Sequence, residues 1–264
     1  MSISRMWFVK LPLAVVAATT VLLAGCGGGG GGGAEGMAAG QANTPSTSTS
    51  AAPPQGMEQS FAVLGGSTVT NTGPTVITGN LGLSPGTAVT GFPPGIVTGG
   101  TTHAADAVAL QAQNDTTTAY NNLAGQTCTS DLTGQDLGGK TLVPGVYCFS
   151  SSAQLTGALT LDAGGDASAV WVFKTGSTLT TASNSSVLVI NGGQPCNVFW
   201  QVGSSATLGT TTSFIGNVLA LTSITLNTGA SVSGRVLARN GAVTLDSNTV
   251  AVSVCGASPV PPVT

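Results

Sequence analysis

Residues 206–248 read ATLGTTTSFIGNVLALTSITLNTGASVSGRVLARNGAVTLDSN, and three short runs in them, ATL, ITL and VTL, each centre on a threonine. Those threonines, Thr207, Thr225 and Thr244, are 18 and 19 residues apart. Within one unit the period is two. Ile224, Leu226, Ala230, Val232 and Val236 fall where side chains point inward, while Thr225, Ser231 and Arg235 fall where they point outward, the pattern of strands buried on one face. Gly and Asn between the runs supply corners. Upstream, GALTLDAG and STLTTASN align through Thr160 and Thr180 with separations of 20 and 27, the longer one holding an insertion around NGGQPCNV. A repeat of this length implies stacked turns of a three-sided parallel β-solenoid.

Composition agrees with a folded β domain. Only 6% of the 264 residues are charged, yet 41% are apolar, and many of those are β-branched. Apart from Arg5 and Lys10 near the N-terminus, four basic residues (Lys140, Lys174, Arg235, Arg239) face nine acidic ones, a net charge of −5. No basic stripe exists to neutralise phosphates, which excludes a nucleic-acid partner.

Residues 1–25 have the build of a secretory leader, with Arg5 and Lys10 beside the apolar run LPLAVVAATTVLLAG, too short to remain as a membrane span. The run ends in Leu23-Ala24-Gly25-Cys26, which resembles the bacterial lipobox; the resemblance implies lipidation at Cys26 and an exported, envelope-anchored or extracellular protein. With Gly27 rather than Asp after Cys26, it further implies sorting to the outer membrane of a two-membrane cell. Residues 26–59 open with Cys26 and seven glycines at 27–33 and continue mainly in Gly, Ala, Ser, Thr and Pro, a flexible tether. The folded domain is expected over 60–256, followed by a Pro-rich tail at 257–264 whose prolines cannot pair continuously in a sheet.

Between two strand-rich parts, residues 103–124 carry Ala105, Val108, Ala109, Ala112, Thr116, Ala119 and Leu123 at helical spacing, with Gly125 as terminator. So narrow a stripe of small residues predicts one long α-helix laid closely on a flat sheet.

With these segments in order, the chain resembles the microbial ice-binding proteins, whose domain is a discontinuous right-handed β-solenoid with a helix alongside. The resemblance rests on FAVLGGSTVTNTGPTVITGNLGLSPGTAVTGFPPG, LGGKTLVPGVYCF, AVWVFKTGSTLTTASNSSV and the run from Asn197 to Asn248, and covers about residues 60–255. It implies that the first strands fold beside the last ones. It also implies an ice-binding face marked by Thr, then Ala or Gly, then any residue, then Thr or Asn. Thr87-Ala88-Val89-Thr90 and Thr181-Ala182-Ser183-Asn184 fit that pattern; Leu208-Gly209-Thr210-Thr211, Leu226-Asn227-Thr228-Gly229 and Leu245-Asp246-Ser247-Asn248 depart from it. With the aligned Thr180, Thr207, Thr225 and Thr244, these units make up the expected face, and the partner implied is the ice surface.

The physics of such a face is collective. Strands about 4.8 Å apart repeat one outward threonine per turn at a spacing close to one of the ice lattice. Each methyl orders water, each hydroxyl bonds it, and the β-branch restricts χ1 so that successive turns present one outline. A charge would hold water in orientations unlike ice, which makes Asp246 the awkward residue. Tyrosine at Thr210 or Thr228 is expected to reduce thermal hysteresis.

After Cys26 four cysteines remain, an even number in an exported chain, which favours disulfides over metal ligation. Of three pairings, the reading favours Cys128 with Cys148, closing one loop, and Cys196 with Cys255, tying the late insertion to the last strand. His103 with Asp106 three residues on is read as a cap rather than a catalytic dyad. Asp162 and Asp246 occupy equivalent places in two units, as polysaccharide lyases on parallel β-helices cluster acids, but one acid per unit at a turn is ordinary turn chemistry. No enzyme, cofactor or metal is expected, and a monomer is. The alternative is a non-catalytic adhesive or structural solenoid binding carbohydrate or protein; Trp171 and Trp200 lie in apolar strands and read as core rather than as sugar-stacking platforms.

Overall fold

A computed structural model describes residues 50–256; the leader, Cys26, most of the tether and the tail at 257–264 lie outside the described residues. Short strands joined by tight corners stack in parallel ladders, so each turn of chain forms one rung of a three-sided solenoid. One face is covered by the helix Ala107–Gly125, a second is the seven-stranded threonine face, and the third is a sheet that no described helix covers.

Chain order and stacking order differ. From the rung at residues 145–162 the stack runs forward to the rung ending in Thr249–Ala251. The next rung is Phe61–Gly65, Thr68–Thr72 and Val76–Thr78, which pair with Ser231–Ala238, Val243–Asp246 and Thr249–Ala251. The first strands thus fold beside the last. The chain then steps outward through Asn80–Leu83, Ala88–Thr90 and Ile96–Thr98 to Thr102–Ala104, and returns to Ser130–Asp131 at the opposite end. On the helix face this makes nine strands, a height of about 38 Å at about 4.8 Å per step. The 19 helical residues cover about 28 Å of it at about 1.5 Å each; the extended links 105–106 and 126–129 cover the rest.

The core tapers along the stack. One inward column runs Tyr147, Phe173, Trp200, Val218, Val236, Val63, Leu81. Phe173 and Trp200 stack with centroids 3.9 Å apart, and Phe214 tilts against Trp200 at 4.9 Å. Rungs that enclose aromatic rings need a wider section than rungs that enclose valines. That explains the long repeat, whose extra residues lie at 163–170 and 191–197. Both tryptophans are fully buried in the solenoid, and their indole N–H groups donate to the Leu142 and Ile215 carbonyls.

The strands Ser213–Ala220 and Ser231–Ala238 each turn from the third face onto the helix face without a break. Gly216 (φ 116°) and Gly234 (φ 152°) make the bend, and a Cβ on Gly234 would lie 2.0 Å from the Gly216 carbonyl oxygen. Only glycine fits there.

Several expectations shift by a few residues or one face. The helix begins at Ala107, not 103, because Thr102–Ala104 form a strand, Ala105 turns at φ 53°, and Asp106 is the N-cap, its Oδ1 accepting the Ala109 N–H at 2.8 Å. Ala109, Ala112, Thr116, Ala119 and Leu123 are buried as read, joined by Gln113 and Tyr120, while Ala105 is exposed outside the helix. Thr160 does not align with Thr180: it lies on the third face opposite Leu188, and the rung neighbour of Thr180 is Gln154. Arg235 points outward but is only 6% exposed, because residues 50–59, read from composition as the end of the tether, are strapped over it. In this strap Ser50 Oγ donates to the Val170 carbonyl, the Met57 N–H to Asp115, and the Arg235 guanidinium to the Gln59 carbonyl twice. Disulfides join Cys128 to Cys148 and Cys196 to Cys255, the pairing favoured from the sequence.

Candidate functional site

The threonine face is built from seven parallel strands, ordered Ala153–Leu155, Leu179–Thr181, Ala206–Leu208, Ile224–Leu226, Val243–Asp246, Thr68–Thr72 and Ala88–Thr90. Register places Gln154, Thr180, Thr207, Thr225, Thr244, Thr70 and Thr90 in one outward column. Six consecutive rungs carry threonine, five steps of about 4.8 Å, or about 24 Å of ladder. Thr70, Thr90, Thr180 and Thr244 are exposed and Thr207 and Thr225 half-buried. None of the six hydroxyls has a hydrogen-bond partner among the described residues, so all six are open to water.

A second outward column runs parallel to the first: Ser152, Thr178, Ser205, Ser223, Ala242, Thr68, Ala88. Here the hydroxyls are partly engaged, Thr178 Oγ1 donating to Ser152 Oγ and Ser205 and Ser223 accepting backbone N–H groups of Ser223 and Ala242. Between the columns, Leu179, Ala206, Ile224, Val243 and Val69 anchor the sheet in the core with no exposed surface beyond 1%. No charged side chain among the described residues falls in either column.

Of the residues singled out from sequence, Thr180, Thr207, Thr225, Thr244, Ala88 and Thr90 therefore meet on one surface, with Thr87 exposed just before its strand. Ser183, Asn184, Thr210, Thr211, Thr228 and Ser247 lie elsewhere, on the corner between this face and the third. That corner turns through one left-handed residue per rung: Asn184, Thr211, Gly229, Ser247 and Gly73, at φ 61°, 55°, 73°, 53° and 76°. Thr211 Oγ1 donates to Asn184 Oδ1 at 2.5 Å, and Thr228 donates to Asp246, which also accepts from Ser247. Asp246 thus stands at the edge of the ladder, each carboxylate oxygen accepting from one neighbouring hydroxyl.

Two residues turn inward instead. Thr181 is 3% exposed and shares a 2.9 Å hydrogen bond with Thr212 Oγ1; Asn248 is 1% exposed, its amide donating to the Asn227 and Ala230 carbonyls while its Oδ1 accepts the Asp246 N–H. Neither can touch a surface-bound partner. They satisfy corner backbone groups that would otherwise be buried without partners. Thr70 and Thr68 are missing from the sequence reading: TVTNT at 68–72 lies outside the run of repeats, and only the pairing of Thr70 with Thr244 brings it into line.

The other polar groups do structural work. His103 Nδ1 and Asp106 Oδ2 are 2.8 Å apart, with Thr101 Oγ1 at 2.9 Å from Nε2; the Ala109 N–H, then His103, hold the Asp106 carboxyl below the usual range. Asp162 is not equivalent to Asp246: it lies on the third face, where the Gly164 N–H and Asn191 lower its pKa. Among the described residues no three His, Cys, Asp or Glu side chains gather as a metal site would require.

Residues 63–251 match the family model described as ice-binding-like. An ice-binding protein of Nostoc sp. (strain HG1) is 65% identical over 196 residues, 74% of this chain and 72% of that protein. One from Flavobacterium frigoris (strain PS1) is 33% identical over 210 residues, 75% of each chain. The crystal structure of an ice-binding protein from an Antarctic biological consortium superposes with a TM-score of 0.75 at 50% identity, over 78% of this chain and 93% of the other. That of the Antarctic ascomycete Antarctomyces psychrotrophicus gives a TM-score of 0.75 at 45% identity, over 77% and 100%. The chain belongs to the ice-binding-like family, and its solenoid is that family's domain.

Proposed function

We propose that the protein adsorbs to ice through the threonine face and so restrains ice growth and recrystallisation or holds a cell against ice. The observation that carries this reading is the six-rung outward column of threonines whose hydroxyls have no partner among the described residues. Each hydroxyl contributes on the order of 1 kcal/mol net against water. Recognition therefore comes from summing over a rigid array, preorganised by the buried column behind it. Adsorption involves no bond making or breaking, and the acids, dispersed at turns and a helix cap, are in keeping with a non-catalytic role.

Two disulfides suit an oxidising compartment. Together with the leader and Cys26 they support export and lipid anchoring at the envelope, with residues 27–49 as the tether of a monomeric domain; Cys26→Ala should then release the protein from the membrane fraction. A single ice crystal grown slowly in purified protein tests the main proposal: faceted growth with a freezing gap is expected, and an unaltered disc would refute it.

A further inference from the structure

The threonine face is one of two faces that no described residue covers. Beyond the corner at residues 209–212, 227–230, 246–248, 73–75 and 91–95, the same rungs continue into the third face. Its register aligns Ser213, Ser231, Thr249, Val76 and Ile96 in one outward column and Ile215, Ser233, Ala251, Thr78 and Thr98 in the next. We infer that this five-rung patch is a second ice-contacting surface, so that one molecule engages ice on both sides of a shared edge. The inference rests on the ice-binding reading of the threonine face.

Four features support it. The strands belong to the same turns of chain as the threonine ladder, so the spacing along the stack is the same on both faces. Behind the patch, Phe214, Val232, Val250 and Ile77 are 2% exposed or less, which holds the sheet as rigidly as its neighbour. Neither column contains a charged residue, and hydroxyls and methyls interleave without a tall side chain apart from Ile96 and Ile215. The hydroxyls of Ser213, Ser233 and Thr249 have no partner among the described residues, while those of Ser231, Thr78 and Thr98 bond within the sheet, a partial engagement like that of the second column on the threonine face.

The patch also ends where these features end. At one end Ile96 stands 51% exposed; in the rungs beyond Ser213, Leu188 and Ile190 stand 46% and 39% exposed, and Asp162 beside Ile190 brings the first charge. All five rungs are uncharged, and the four from Ser213 to Val76 form their even part beside the threonine ladder.

Two sides of a three-sided solenoid cannot lie on one flat crystal plane. Two contact faces would therefore label two sets of ice planes, or join two crystals.

Labelled protein adsorbed to a single-crystal ice hemisphere tests this, using the parent chain, Thr225→Tyr on the threonine face, and Thr249→Tyr or Ser233→Tyr on the third, each checked by melting temperature. Thr249→Tyr and Ser233→Tyr should each lose a set of labelled planes that Thr225→Tyr retains, with a fall in hysteresis. Parental planes and full hysteresis in a folded third-face variant would overturn the second surface while leaving the first intact. A parent chain that labels no plane would instead overturn the ice-binding reading itself.

Discussion

Thr225 sits inside the ladder, with Thr207 on one side and Thr244 on the other. Tyrosine there would raise an aromatic ring above the plane of the threonine methyls and hold ice away from all three rungs. At about 1 kcal/mol per rung, losing three of six costs about 3 kcal/mol, on the order of 100-fold in the partition of protein between ice and water. Thr225→Val removes one hydroxyl and keeps the outline, for about 1 kcal/mol, or about fivefold. Stability should stay within about 0.5 kcal/mol in both variants, because the Thr225 hydroxyl has no partner among the described residues and an aromatic side chain suits a strand. Capture by a slowly growing ice hemisphere measures the partition, thermal hysteresis measures the arrest of growth, and circular dichroism checks the fold. Tyrosine at Thr210 or Thr228 should cost less than at Thr225, since both sit on the corner. If Thr225→Tyr entered ice as readily as the parent, the ladder would not be the contact surface.

Three further outcomes follow from the geometry. The Cys196–Cys255 bridge closes a sequence separation of 59 and Cys128–Cys148 one of 20; replacing each pair by serine should cost about 4 and about 3 kcal/mol respectively, so thermal melts ranking them the other way would contradict the chain-entropy account. Thr211 holds a β-branched residue at φ 55° where the next rung has Gly229; Thr211→Gly relieves about 1 kcal/mol of strain and gives up the Asn184 hydrogen bond, also about 1 kcal/mol, so guanidinium melts should place it within about 0.5 kcal/mol of the parent. Glu58 is 5% exposed, and burial raises its pKa, with the Gly56 N–H opposing. A raised folded-state pKa means that the folded chain holds this proton more tightly, so the contribution is full below the ordinary carboxyl range and lost as pH rises through the raised value. The melting temperature of Glu58→Gln relative to the parent should therefore climb from acid to neutral pH, and a constant difference would show that the carboxyl titrates normally.

The residues 206–248 made the solenoid and half the ladder legible, because there each rung takes 18 or 19 residues and repeats one pattern of inward and outward side chains. Legibility failed where the section widens. Thr160 was misaligned because the rungs around Phe173 and Trp200 carry longer third sides, which shift the repeat by several residues. At the corner, the polar units read as surface include two residues that face inward: Thr181 and Asn248 satisfy groups that a tight turn would otherwise leave unpaired, and no periodicity distinguishes such a residue from one that meets solvent. The strap at 50–59 was hidden by its composition. Its attachment depends on backbone carbonyls and on Arg235, far away in sequence.

The two outermost rungs of the ladder, Thr70 and Thr90, explain why the topology matters for the surface. More C-terminal sequence past Thr244 could supply them equally well, and by either route the sheet keeps two edge strands, here Ala153–Leu155 and Ala88–Thr90. Here the N-terminal strands supply those rungs, with the Gly66 and Ser67 N–H groups both donating to the Gly241 carbonyl where the segments join, and the helix carries the chain back across the covered face. Strand pairing between residues nearly 180 apart in sequence closes slowly compared with local hairpins, but once closed it fixes Thr70 against Thr244 in the same parallel register that fixes Thr225 against Thr207. The join is therefore invisible from the outside. A surface that must repeat evenly is set by backbone pairing, and side chains only have to be threonine at the right position in each rung.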